Sequence, residues 1–294
     1  MALAASATEA HSQPLDPFAL ADRLVSTIRS YGPVAVALSG GVDSAVVAKA
    51  AFLAHGPLAV AVTGQSASLA ATELDAARDV AALIGIRHEV IPTNEFERPE
   101  YRANDGARCY FCKDTLYSNL GALRAQMGFA AICSGAQIDD LGDYRPGLVA
   151  AAEHGVRHPL QEAGFGKKET RALAAHWDLP CADKPAAPCL SSRIAVGVEA
   201  TPERVARIEQ GERLLADLGF REFRLRCHAD ELARIEVPIA EIARLAEPAI
   251  RERLARELAE IGFKFVTLDL AGFRSGSLNV MVPAPLRASG GKSP

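Results

Sequence analysis

A chain of 294 residues carries about two domains of ordinary size, and its 49% hydrophobic and 23% charged residues exclude a disordered or fibrous protein. With 32 basic against 36 acidic side chains the net charge is −4, so no basic surplus marks tRNA or DNA as a partner. No apolar run approaches the ~20 residues that a membrane span needs.

Residues 1–16 are rich in Ala and Ser and lack both a basic start and a sustained apolar core, so they predict a disordered tail rather than a signal peptide. Residues 287–294 predict a second tail. Six cysteines without a secretory signal indicate reduced thiols in the cytoplasm, serving metal or catalysis before disulfides. Between the tails, apolar runs predict strands at Val34–Leu38, Leu58–Val62, His88–Ile91 and Ala130–Cys133. Helical spacing runs from Asp43 to Ala54, Ser68 to Ile84 and Leu116 to Met127. Largely apolar strands alternating with helices predict a doubly wound α/β fold, its parallel sheet covered on both faces. A helix over Lys167–Trp177 leads into Asp183–Arg193 (DKPAAPCLSSR), whose prolines predict a loop. Then the pattern changes. Thr201-Pro202 supplies an N-cap and a first-turn proline for a helix to about Leu218. Strands follow at Phe223–Arg226, Ala233–Val237 and Phe265–Leu270, with a helical stretch from Ile239 to Ile261 interrupted at Pro248. The order predicts an α/β domain over 17–194 and a smaller α+β domain over 195–286.

Ser39, Gly40, Gly41, Val42, Asp43 and Ser44 (SGGVDS) join the first strand to its helix. Two glycines permit a tight turn that brings backbone N–H groups close to an anion, and the helix start adds the positive end of its dipole. Ser39 and Ser44 offer hydroxyl donors, and Asp43 a ligand for the magnesium that accompanies a polyphosphate. The alternative is a structural turn with Asp43 merely capping the helix. SGGVDS in this position resembles the signature of PP-loop ATP-pyrophosphatases, which cleave ATP between the α and β phosphates and grip the pyrophosphate with the loop.

Three later stretches narrow the resemblance: Arg108-Cys109-Tyr110-Phe111-Cys112-Lys113; Asp139-Asp140 with Asp143-Tyr144-Arg145-Pro146-Gly147; and Lys184-Pro185 with Cys189-Leu190-Ser191-Ser192-Arg193. Together with Arg224-Leu225-Arg226 and Ala233-Arg234-Ile235-Glu236 they resemble the LarE family over about Ala19 to Phe273. LarE proteins are ATP-dependent sulfur transferases that help to make a nickel-pincer nucleotide. The resemblance implies adenylylation of a carboxylate of pyridinium-3,5-biscarboxylic acid mononucleotide, a small-molecule nucleotide substrate. Sulfur then displaces AMP to leave a thiocarboxylate, with Cys189 at the transfer step. It also implies nucleotide contacts from Lys113, Asp139 and Arg193, substrate-phosphate contacts from Arg224 and Arg226, and metal contacts from Glu212, Glu236 and Glu241. In the sacrificial version, the cysteine at the position of Cys189 gives up its own sulfur. This chain also has Cys109 and Cys112, and three thiolates can hold a 4Fe-4S cluster with one iron open to an exogenous sulfide donor.

Other readings stay in view. Cys-x-x-Cys alone fits a thioredoxin-like redox pair, a zinc site or free thiols. Cys133, in a predicted strand, reads as a buried apolar residue. Cys181 and Cys227 have no motif around them, and the scattered histidines and the arginines have ordinary structural readings. Rival functions are a cluster-dependent tRNA thiolase and a nucleotide-binding protein without turnover. Homo-oligomerisation is left open.

Overall fold

The computed structural model describes residues 15–141, 145–185, 187–274, 276–282 and 284. The predicted tails, but for positions 15 and 16, lie outside the described residues, as do Asp143 and Tyr144. Asp16 caps the first helix, α1 (Pro17–Arg29), accepting a hydrogen bond from the Phe18 amide at 3.0 Å, with proline in the first turn. There follow β1 (Val34–Ala37), α2 (Val42–His55), β2 (Val60–Gln65), α3 (Ala71–Ile84), β3 (Arg87–Pro92), α4 (Pro99–Ala103), α5 (Arg108–Met127), β4 (Ala131–Cys133), α6 (Pro146–Glu153), α7 (Pro159–Glu162) and α8 (Lys167–His176). The strands pair in parallel in the order β3-β2-β1-β4, the doubly wound arrangement that the alternating pattern predicted. Strand alternation divides the core. Val34 and Val36 pack with Leu24, Ile28, Val46 and Leu173 of α1, α2 and α8, while Ala35, Val60 and Val62 pack with Leu116, Tyr117 and Leu120 of α5 on the opposite face.

Several boundaries differ from the expectation for local reasons. β2 starts at Val60, because Gly56–Leu58 closes a 3-10 turn around Pro57. α3 starts at Ala71, because the Ser66 hydroxyl accepts from the Ser68 amide at 3.2 Å and turns the chain first. The helix predicted from Leu116 begins at Arg108. Its first two turns mix charged, aromatic and thiol side chains and so carry no apolar stripe.

The second sheet comes from α9 (Pro202–Asp217), β5 (Arg224–His228), β6 (Leu232–Glu236), α10 (Ile242–Leu245), α11 (Pro248–Ile261) and β7 (Phe265–Leu268). β5 and β6 run antiparallel, and β7 joins β6 in parallel after the α10–α11 crossover. Thr201 Oγ1 caps α9 by accepting from the Arg204 amide at 3.3 Å. Leu225, Cys227, Ala233 and Ile235 turn one face of the sheet onto Val205, Ile208 and Leu215 of α9 and Leu254 and Leu258 of α11. The same core takes in Tyr101, Leu190 and Ile194 from earlier in the chain, so the two sheets are joined by packed side chains. Among the described residues no helix is long and apolar enough to cross a membrane.

Candidate functional site

In an open parallel sheet the crevice outside the carboxyl ends of the strands is where ligands bind. The Ser39–Ser44 loop follows β1 there. Gly40 has φ +77°, and a Cβ on it would come within 3.0 Å of the Ala77 amide nitrogen and 3.1 Å of the Glu73 carbonyl. The Ser39 amide donates to Ser44 Oγ at 3.1 Å, and Ser44 Oγ donates to the Gly41 carbonyl at 3.0 Å, so the loop is curled about the Ser44 side chain. α2 begins at Val42, and its first-turn N–H groups have no partner within the helix. From the far side, Gly135, just past β4, presses on the loop. A Cβ there would lie 2.7 Å from the Ser44 amide nitrogen and 2.9 Å from the Asp43 carbonyl carbon.

Burial, and then the charge of Asp140, push the Asp43 carboxyl up to about 6. Asp140 is itself buried, accepts from the Gln137 amide at 3.0 Å and pairs with Arg145 at 2.9 Å. Asp43 and Asp140 thus lie within electrostatic reach of one another beside the loop. Asp139, expected at the nucleotide, faces elsewhere: it is exposed and accepts from the Lys167 amide at 2.7 Å, capping α8. Residues 138–140 form one 3-10 turn of three residues per turn, which separates neighbouring side chains by about a third of a circle. A lysine that drew no role from the sequence reaches the loop as well. Lys184 Nζ lies 2.7 Å from Glu73 Oε2 and 3.4 Å from the Gly40 carbonyl.

The start of α5 presents Cys109 and Cys112 one turn apart, the i, i+3 spacing that shares a helix face. Cys189 comes from the proline-punctuated loop, and that loop is fastened on both sides of it. The Leu190 amide donates to the Ser68 carbonyl at 2.9 Å, and Tyr101 donates to Ser191 Oγ at 2.9 Å. Arg193 donates to the carbonyls of Pro188 and Cys189. The thiols of Cys109, Cys112 and Cys189 lie within electrostatic reach of one another and of the cations Arg108 and Lys113. Cys109 and Cys189 are open to solvent and Cys112 is half-buried, yet protein crowds the concave place they share. That surrounding pushes Cys112 up to about 12 and raises Cys109, against the pull of Lys113 and Arg108 respectively. Among the described residues no group of three or more His, Cys, Asp or Glu side chains is placed to hold a metal ion. Cys133, Cys181 and Cys227 are buried.

On the second sheet, Arg224, Arg226, Arg234 and Glu236 share the face opposite the core, by the register Arg224↔Glu236 and Arg226↔Arg234. Arg226, expected at the substrate phosphate, has a carboxylate partner on the same sheet face. It is buried and donates to Glu236 Oε2 through Nε at 3.1 Å and Nη2 at 2.9 Å, while Ser277 and Arg234 engage the other oxygen at 2.7 and 3.0 Å. Arg193, expected at the nucleotide, is likewise buried and forked onto Glu212 at 3.1 Å through Nε and Nη2. Glu212, Glu236 and Glu241, the expected metal contacts, pair with Arg193, Arg226 and Arg244, the last at 2.9 Å. Arg224 is different. Half-buried, it stacks over Phe273 at 5.1 Å and has no ion pair among the described residues. Burial and then the charge of Arg193 push its pKa down, as suits a cation that lacks an anion. Lys184, Asp140, Gly135 and Arg108 drew no role from the sequence, although Lys184, Asp140 and Arg108 stand inside the stretches that carried the resemblance.

Residues 19–102 match the asparagine synthase family model. An uncharacterized protein of Synechocystis is 44% identical over 83% of this chain and 91% of its own length. Pyridinium-3,5-bisthiocarboxylic acid mononucleotide synthase of Lactiplantibacillus plantarum is 37% identical over 87% of this chain and 92% of its own. The tRNA-specific 2-thiouridylase MnmA of Azorhizobium caulinodans is 32% identical over 52% of this chain and 48% of its own.

Proposed function

This chain belongs to the LarE family, and from that premise we propose that it is an ATP-dependent sulfurtransferase acting on pyridinium-3,5-biscarboxylic acid mononucleotide. Residues 17–194 would hold ATP and magnesium, and residues 195–286 the nucleotide acceptor. A substrate carboxylate attacks the α-phosphorus of ATP, pyrophosphate leaves, and the acyl-adenylate forms. The step is needed because a carboxylate oxygen leaves poorly and AMP leaves well. The backbone of the Ser39–Ser44 loop takes the pyrophosphate, with Asp43 and Asp140 on its cation. Arg224, the arginine without an ion pair on its sheet face, takes the substrate phosphate. Sulfur then attacks the activated carbonyl carbon, and AMP departs.

Three cysteines at one place carry the finer reading. Cys109, Cys112 and Cys189 would each bind a different iron of a 4Fe-4S cluster. Arg108 and Lys113 supply positive charge beside an anionic group. Such a cluster on three thiolates would supply an iron at which inorganic sulfide is held. The reading asks the chain to bring the cysteines near the phosphate loop, and Lys184, at the loop, lies five residues before Cys189 in sequence. The likeness to a tRNA thiouridylase extends over half of each chain, and a net charge of −4 offers little to an RNA backbone.

Anaerobic purification, a visible spectrum and an iron assay test this reading, together with the mass of the Cys189 peptide after turnover. Expected are bound iron that drops in each Cys→Ser variant at 109, 112 and 189, multiple turnovers with sulfide, and an intact Cys189. Dehydroalanine at Cys189 in iron-free, active protein would overturn the cluster and leave the sulfurtransferase standing. No pyrophosphate release with the acceptor would overturn both.

A further inference from the structure

Lys184 sits where an ammonium has no structural need to be. The turn it belongs to is already held without that ammonium: the Arg171 side chain donates to the Ala182 carbonyl at 3.1 Å and to the Lys184 carbonyl at 3.4 Å, and the Lys184 amide donates to the Cys181 carbonyl at 3.0 Å. Pro185 further restricts the Lys184 backbone to extended geometry. With the main chain fixed, only the four-carbon side chain is free to move. It ends between two acceptors of different kinds, a carboxylate at 2.7 Å and a carbonyl of the phosphate loop at 3.4 Å.

Glu73 is the partner in this arrangement that can be released. It lies in the first turn of α3, where the positive end of the helix stabilises a carboxylate without any cation, and its side chain is about a fifth exposed to water. A polyphosphate seated on the Ser39–Ser44 loop carries more charge than one carboxylate and lies beside the Gly40 carbonyl that Lys184 already touches. We propose that Lys184 is a polyphosphate-binding residue held by Glu73 until the nucleotide arrives, and that its side chain then swings from the carboxylate to the phosphate oxygens. No bond is made or broken; one ion pair is exchanged for another. The exchange lies five residues before Cys189 on one chain segment, so the residue that senses the polyphosphate and the thiol of the sulfur step are neighbours along the backbone.

The inference rests on the reading of the Ser39–Ser44 loop as the pyrophosphate grip, and the two fail differently. Calorimetric titration of the full chain with magnesium pyrophosphate tests it, with melting temperatures to verify folding. Lys184→Met is expected to weaken binding about tenfold, the loss of one charge-assisted hydrogen bond. Lys184→Arg should retain most of the affinity. Glu73→Gln should move the other way and tighten binding by about threefold, because it frees Lys184 from a competing, partly exposed pair. A pair that only braces the fold predicts that Lys184→Met and Glu73→Gln shift binding in the same direction or leave it unmoved, and either result overturns the proposal. A wild-type protein that does not bind pyrophosphate overturns the loop reading and this inference with it.

Discussion

Asp43→Asn keeps the shape of the side chain and removes its charge, and its consequence is signed. In the folded protein the Asp43 carboxyl is raised from 3.8 to about 6, chiefly by burial and then by Asp140. A group whose folded pKa lies above its unfolded value opposes folding once it is ionised. The penalty is absent below the unfolded pKa, grows as pH rises through the interval from 3.8 to about 6, and is constant above it. A shift of two units corresponds to roughly 3 kcal/mol, which solvent screening at a half-buried carboxylate reduces to about 1–2 kcal/mol. For a chain of this size that is a gain of about 2–5 °C in melting temperature. Asp43→Asn should therefore melt higher than wild type at pH 8, and the advantage should shrink at pH 5. The same variant should lose pyrophosphate release by about a hundredfold, because the carboxylate meant for the cation is gone. Paired melting curves at the two pH values and a pyrophosphate assay decide it. An equal change in melting at both pH values, or a less stable variant at pH 8, would refute the reasoning about Asp43 and Asp140.

Gly135→Ala places a methyl against the backbone of Ser44 and Asp43, so ATP binding should fall while the second sheet stays ordered; titration with ATP against unchanged amide exchange in β5–β7 checks this. Arg226→Met leaves Glu236, with no exposed surface, short of its forked partner, and should cost about 3 kcal/mol or more of stability by denaturant titration. Arg224→Met should leave the denaturation midpoint alone and weaken acceptor binding instead, and a midpoint loss equal to that of Arg226→Met would count against the division of roles. Cys133→Ala, Cys181→Ser and Cys227→Ser should retain sulfur transfer, with at most a modest stability loss at Cys133 from the removed volume; an inactive but folded Cys181→Ser or Cys227→Ser would show that the wrong thiols have been chosen.

Elements whose periodicity arises from burial were legible in the sequence, and those shaped by local chemistry were not. Val34–Ala37 is a run of small apolar residues because both sheet faces are covered, and such a run is visible without a structure. The start of α5 was hidden for the opposite reason. Cys109, Cys112 and Lys113 turn toward an open place, so the first turns bury too little to show a stripe. α1 carried readable signals in Asp16 and Pro17, but they follow an Ala/Ser-rich stretch and were absorbed into the tail. The site shows the same division. SGGVDS is contiguous and could be read directly, whereas the commitment of Arg226 to Glu236 depends on strand register, and that of Arg193 to Glu212 on how α9 packs. Residue type gave the chemistry available at each position; only the fold decides which arginine is already taken.

Cys109 and Cys112 project from a helix whose packing rests mainly on Leu116, Tyr117 and Leu120, with Cys112 adding a partly buried contact to the second core. Helix geometry alone sets the spacing of that pair, and any residue tolerant of helix would leave the scaffold standing. Cys189 hangs from a loop that is anchored through its neighbours' backbone and hydroxyls rather than through its own sulfur. The architecture is thus indifferent to what the three sulfurs are used for. A lineage could gain or lose the helix pair by two point substitutions, passing between a reusable sulfur carrier and a single-use donor without rebuilding a strand, a cap or the phosphate loop.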